Sequence, residues 1–213
     1  MTHSHANSGL AAVTGHIRAC RICVDAPRGD PLPHEPRPVF RISSTARLLV
    51  ASQAPGLRVH KTGLPFNDAS GDRLRQWMNV SRELFYDQTR VAIVPMGFCF
   101  PGHDPNKGDL PPRRECRAAW HDLLFAKLPQ IECILAIGRY AHEYHFARAG
   151  RPLPTGLGVD ETMRRWREFA GEAPKIIALP HPSWRNNGWI KRNPWFDRDV
   201  LPALREAVAR AIS

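Results

Sequence analysis

Arg47-Leu48-Leu49-Val50-Ala51-Ser52, running straight into Gln53-Ala54-Pro55-Gly56, is the stretch that decides the fold. The first six residues form a near-continuous apolar run rather than an alternating one. That pattern suits a strand of a parallel sheet covered on both faces. Three further runs read the same way: Arg90–Met96 (RVAIVPM), Glu132–Ile137 (ECILAI) and Lys175–Leu179 (KIIAL). Helical patterns separate them, over Ser70–Met78, Arg113–Leu128, Arg139–Ala149, Glu161–Phe169 and Arg198–Ile212. The second of these carries Trp120, Leu123, Leu124 and Leu128 on one stripe. Strands alternating with helices predict right-handed crossovers and a three-layer α/β/α sandwich around a four-stranded parallel sheet. Residues 1–213 read as one domain, with 1–8 a disordered tail and 24–38 a proline-rich irregular stretch.

In such folds the chemistry lies at the carboxyl ends of the strands. The unusual residues cluster there. After the first strand, Ala54, Pro55 and Gly56 set a tight path whose amides can approach a ligand closely. Gly63-Leu64-Pro65-Phe66-Asn67-Asp68 then places an aromatic ring in a loop. Phe66 reads either as a stacking platform for a planar base or as a ring tucked beneath its own loop. Asp68 reads either as a general base or as the residue that starts the following helix. After the last strand, His181 stands between Pro180 and Pro182, followed by Ser183, Trp184 and Arg185. Flanking prolines suit a side chain that must be held in one place.

Charge narrows the partner. Thirty Lys+Arg against twenty Asp+Glu give a formal net charge of +10, which favours a polyanion such as DNA. The chain does not open on a basic segment followed by an apolar core. No apolar run reaches the roughly 18 residues of a membrane span. A cytoplasmic, monomeric protein without membrane association is expected. In that compartment the five cysteines are poor candidates for disulfides, and Cys20-Arg-Ile-Cys23 fits a redox, zinc or cluster site. Cys133 falls inside a predicted buried strand and reads as core.

The run from Ala51 to Leu74 (ASQAPGLRVHKTGLPFNDASGDRL) resembles motif A of the iron–sulfur (family 4) uracil-DNA glycosylases, in register from Gln53 through Gly63, Pro65 and Phe66 to Gly71. His181-Pro182-Ser183 resembles motif B of the same superfamily and follows the last strand, as that superfamily requires. The resemblance covers most of the chain from Cys20 onward. It implies a monofunctional enzyme that flips uracil out of DNA, hydrolyses the N-glycosidic bond and leaves an abasic site. Ala54, Gly56, Phe66 and Asn67 would bind the base, and His181 would face its O2 oxygen. Trp184 and Arg185 would form a minor-groove wedge, and Ser183 a phosphate contact. A structural [4Fe–4S] cluster would be held by Cys20, Cys23, Cys99 and Cys116, with zinc on the same four thiolates as the alternative.

Three positions depart from the family pattern. Gln53 and Val59 stand where motif A has carboxylates, although His60 follows Val59. Pro95 stands where a base-reading asparagine is expected, four residues before Cys99. Gln53 and Asp68 are then the residues left to place water. A pocket without its specificity amide rejects related bases less strongly, so hypoxanthine and xanthine join uracil as candidate substrates. No lysine stands beside Phe66 or His181, Lys61 being the nearest, so no lyase step is expected. A catalytically retired binder of damaged or abasic DNA, and a zinc-dependent nucleic-acid-binding protein, are the competing readings.

Overall fold

A computed structural model describes residues 9–104, 106, 108–171 and 173–213; the predicted tail, 1–8, lies outside the described residues. The strands, in chain order, are β1 (Leu48–Ala51), β2 (Val91–Ile93), β3 (His103–Asp104), β4 (Gly108–Asp109), β5 (Cys133–Ile137) and β6 (Lys175–Leu179). Four of them form one all-parallel sheet in the order β2-β1-β5-β6, as the apolar runs predict. Leu48 of β1 stands level with Val91 on one side and Cys133 on the other. Every residue of β1, β2 and β5 is buried, which explains why these runs do not alternate. Cys133 is among them, a core residue as its position predicts.

Helices cover both faces. The chain steps from β1 outward to β2, then back across β1 to β5 and on to β6. Right-handed crossovers therefore place the first set of connecting helices on one face and the later sets on the other. Ala69–Met78 packs with the C-terminal helix Leu201–Ala211, while Arg139–Arg148 lies on β5 and β6. The reversal of direction beside β1 opens a crevice at the strands' carboxyl ends.

Several helices differ from the sequence pattern. Arg113–Leu128 is broken into Arg114–Cys116, a π-helical turn over Arg117–His121, and Asp122–Phe125, with Leu128 beyond the last. Its stripe survives, since Trp120, Leu124 and Leu128 are buried, but Leu123 is only half-buried. Glu161–Phe169 is two helices, Val159–Arg164 and Trp166–Ala170, parted at Arg165, which leaves helical geometry. The last helix runs Leu201–Ala211 behind a π-helical turn over Phe196–Val200. Pro202 sits in its first turn, the place where a missing N–H costs least. Leu10–Arg18, Leu57–Thr62, Arg82–Tyr86 and Asn187–Arg192 are helical without having been expected to be.

The proline-rich stretch ends by closing an edge of the sheet. Arg41 exchanges backbone hydrogen bonds with Ile93 in an antiparallel bridge, at 2.9 and 2.8 Å, and Val39 N donates to Phe98 O at 2.8 Å. The outer side of β2 is therefore not left bare.

Candidate active site

A pocket of about 100 Å3 opens at the carboxyl ends of β1, β2 and β6. It exceeds several-fold the roughly 10–15 Å3 that one water requires. Ala54 and Gly56 line it from the loop after β1, Pro95 from beyond β2, and His181 from beyond β6. Phe66 and Asp68 complete the wall between β1 and the helix Ala69–Met78. Residues from both ends of the chain thus converge as their positions after parallel strands require.

Phe66 is held by its backbone as much as by its ring. Its φ of 54° lies in the left-handed region, which costs a bulky residue on the order of 1–3 kcal/mol. Its carbonyl accepts from the Tyr86 hydroxyl at 3.1 Å and from Arg75 Nη1 at 3.5 Å, and Tyr86 also donates to Pro65 O at 2.8 Å. Arg75 is itself buried within the helix and paired with Asp72. Gly71 makes the approach possible, because a Cβ there would stand 1.8 Å from Phe66 O. Phe66 is 8% exposed; its ring meets Phe85 edge-on at 6.0 Å, and the residue lines the pocket. Phe66 is thus packed beneath its loop, as one of its two readings has it, and it also lines the pocket where a base could meet it.

Asp68 likewise touches both the start of the helix and the pocket. Its Oδ1 accepts from Gly71 N at 2.9 Å and caps the helix, yet the residue lines the pocket and its charge acts on His181. The other motif-A polar residues face elsewhere. Gln53 is not among the pocket-lining residues; its amide packs over Gly138, where a Cβ would stand 3.2 Å from it. Asn67 is outside the lining too, and its Oδ1 accepts from Arg82 at 3.1 Å. Val59 lines the pocket, whereas His60 turns to His34, ring to ring at 4.3 Å.

His181 is half-buried, and its loop is tied at two points. Asn186 Nδ2 donates to His181 O at 2.6 Å, and Arg73 Nη1 donates to Ser183 O at 3.1 Å. Burial pushes the imidazole pKa below its ordinary value, against the pull of Asp68 and Asp109, which raise it. The ring is therefore neutral at pH 7 and carries one N–H. Beyond it the backbone turns through Trp184–Asn186. Trp184 is 74% exposed, and the Arg185 guanidinium lies 5.9 Å from the centre of its ring. Arg185 also rests on Gly108, where a Cβ would come within 2.7 Å of it.

That contact brings in a residue the sequence reading missed. Asp109 sits on the β3–β4 hairpin, lines the pocket, and places Oδ2 3.3 Å from where a Cβ on Gly56 would be. Its Oδ1 is 3.2 Å from His103 Nδ1. The only sequence signal was a polar run bracketed by glycines, Gly102 to Asp109, inserted after the second strand. The large hydrophobics left exposed among the described residues also gather at this mouth: Leu57 follows Gly56, Leu110 follows Asp109, and Trp184 follows the His181 loop.

Cys20, Cys23, Cys99 and Cys116 line a separate small cavity with Ile17 and Phe98. Trp120 Nε1 donates to Cys20 Sγ at 3.2 Å. A hydrogen bond with Cys116 draws Cys23 down to about 7, while burial drives Cys99 up to about 12. Among the described residues, no three His, Cys, Asp or Glu side chains are arranged to hold a single metal ion. Four cysteines lining one cavity match in number the four thiolates that a four-iron cluster takes, each at its own iron. Among the described residues no helix is long and apolar enough to cross a membrane.

Ala54, Gly56 and Phe66 of the first motif and His181 of the second thus meet at one pocket at the carboxyl ends of the sheet. A family model described as the uracil DNA glycosylase superfamily matches residues 40–205, and the chain belongs to that superfamily.

Proposed function

We propose that the protein is a monofunctional base-excision glycosylase that draws uracil, or a related deaminated base, out of DNA into the pocket between Phe66 and His181. The carrying observation is that both motifs, separated by more than a hundred residues, line one pocket at the carboxyl ends of the sheet. Flipping exposes a base to stacking on an aromatic wall, the place Phe66 occupies. Neutral His181 donates its N–H to the oxygen where charge gathers as the C1′–N bond breaks, and the bonding pair leaves with the base. Water then joins C1′, its proton passing to a carboxylate and on to the departing base. Asp109 and Asp68 supply carboxylates where motif A has lost its own. Pro95 offers the base no side-chain amide, which favours hypoxanthine and xanthine as substrates beside uracil. Trp184 and Arg185, both exposed, would form the wedge that enters the duplex, and Ser183 beside them would meet a phosphate.

Cys20, Cys23, Cys99 and Cys116 would hold a structural [4Fe–4S] cluster that ties the N-terminal segment to the loop after β2. The four-cysteine lining, together with the accompanying motif A, is what favours it over zinc. Anaerobically purified protein should contain about four irons per chain; stoichiometric zinc without iron would overturn the cluster.

The deciding experiment incubates the protein with oligonucleotides bearing single uracil, hypoxanthine or xanthine residues and counts abasic sites and free base. More free base than enzyme establishes a catalyst. Tight binding with no base released would instead mark a damage binder.

A further inference from the structure

A second cavity, about 680 Å3, opens near the first and is lined by Arg28, Arg113, Arg114, Arg117, Arg139 and Tyr140. Met96 contributes to it from the residue after Pro95, and Arg139 from the residue after Gly138, so it lies at the same end of the sheet as the excision pocket. The arginines come from three separate segments of the chain. Only two have carboxylate partners among the described residues: Arg113 with Glu115 at 3.3 Å and Arg139 with Glu143 at 2.6 Å. Arg117 rests on the ring of Tyr144 at 5.3 Å, and among the described residues neither it nor Arg28 nor Arg114 forms an ion pair with a carboxylate. Four of the five are exposed to solvent, Arg113 being half-buried.

Glu143, the acidic residue of the lining, is already engaged by Arg139, which leaves Arg28, Arg114 and Arg117 open to an external anion, and the planar guanidinium fork suits phosphate oxygens. Exposed arginines on separate segments fit an extended polyanion better than a small ligand, which would need converging, fixed donors. We propose that this trough carries the phosphodiester backbone of the DNA strand beyond the extruded base. The inference rests on the glycosylase reading for its substrate, while its test reads affinity alone.

Arg28→Glu with Arg139→Glu is the variant to make, since neither residue flanks a cysteine and a glutamate is welcome in the first turn of the helix Arg139–Arg148. Circular dichroism confirms that it folds. Fluorescence anisotropy then compares a trinucleotide with a long single-stranded oligonucleotide, each bearing one uracil. The variant should lose about tenfold or more on the long strand, with a log–log salt slope shallower by about 0.7 for each lost contact. The loss should grow with strand length and be slight on the trinucleotide. Equal losses on both, or none on the long strand, would overturn the trough. So would displacement of the long strand by ATP from wild type but not from the variant, which would make this a nucleotide site. If no abasic site ever forms, yet the length-dependent loss is seen, the glycosylase reading falls and the trough stands.

Discussion

In the proposed reaction His181 would stabilise the leaving base and Asp109 would take the proton of the water, and separate substitutions distinguish the two roles. Removing the donor, His181→Ala, should slow single-turnover cleavage by about 10²–10³, the usual loss for one preorganised hydrogen bond to a developing anion. Asp109→Asn keeps size and hydrogen bonding but removes the charge, and should cost about 10² if this carboxylate takes the water's proton. Asp68→Asn should cost much less, because asparagine caps a helix as well as aspartate does and Oδ1 is already bonded to Gly71 N. If Asp68→Asn proves the more damaging, the roles of the two carboxylates are exchanged. At this scale the sequence was legible where a motif fixes position along a strand end, as for His181, Gly56 and Phe66. It was not legible for Asp109, because nothing local says that a hairpin far along the chain folds back over Gly56. Nor does local sequence tell that Gln53 turns to Gly138 and Asn67 to Arg82.

Between Phe66 and the helix Ala69–Met78 there is no slack. Gly71→Ala must push the helix from the loop, since its Cβ would meet Phe66 O at 1.8 Å. Overpacking of this kind costs about 1–3 kcal/mol, seen as a fall of several degrees in Tm. Cleavage should fall with it, because the same carbonyl anchors the left-handed Phe66 backbone through Tyr86 and Arg75. A variant that melts and cleaves like wild type would mean that loop and helix part freely. The strands were legible at this scale, because burial on both faces leaves continuous apolar runs. The helix breaks at Arg117–His121 and Arg165 were not, since an unbroken stripe does not record local π-helical or non-helical turns. Leu57–Thr62, capped at Gly63 with a φ of 70°, hid inside a motif read as a loop.

Three histidines buried behind the sheet make the whole molecule sensitive to acid. His121, His142 and His145 all have pKa values lowered chiefly by burial, His142 to about 4. His142 Nε2 donates toward Ala136 O and Leu179 O, at 2.9 and 3.1 Å, joining β5 to β6 just ahead of the His181 loop. Above about 6.5 folded and unfolded chains carry the same neutral ring, so pH has no effect through it. Below that, the unfolded chain binds a proton that the folded one refuses, and stability falls as pH falls until about 4. His142 alone should contribute roughly 1.4 kcal/mol per pH unit across this window. Urea unfolding from pH 7 down to pH 4 measures the slope, and His142→Gln should flatten it; an unchanged slope would place the proton uptake elsewhere. The bridge between Arg41 and Ile93 has a consequence of another kind. It shields the rim of β2 from strand addition by a neighbouring molecule. A protease cut in the proline-rich stretch ahead of it would free that strip and bare the rim. Such damage would show itself as insoluble, cross-β material rather than as a slower enzyme.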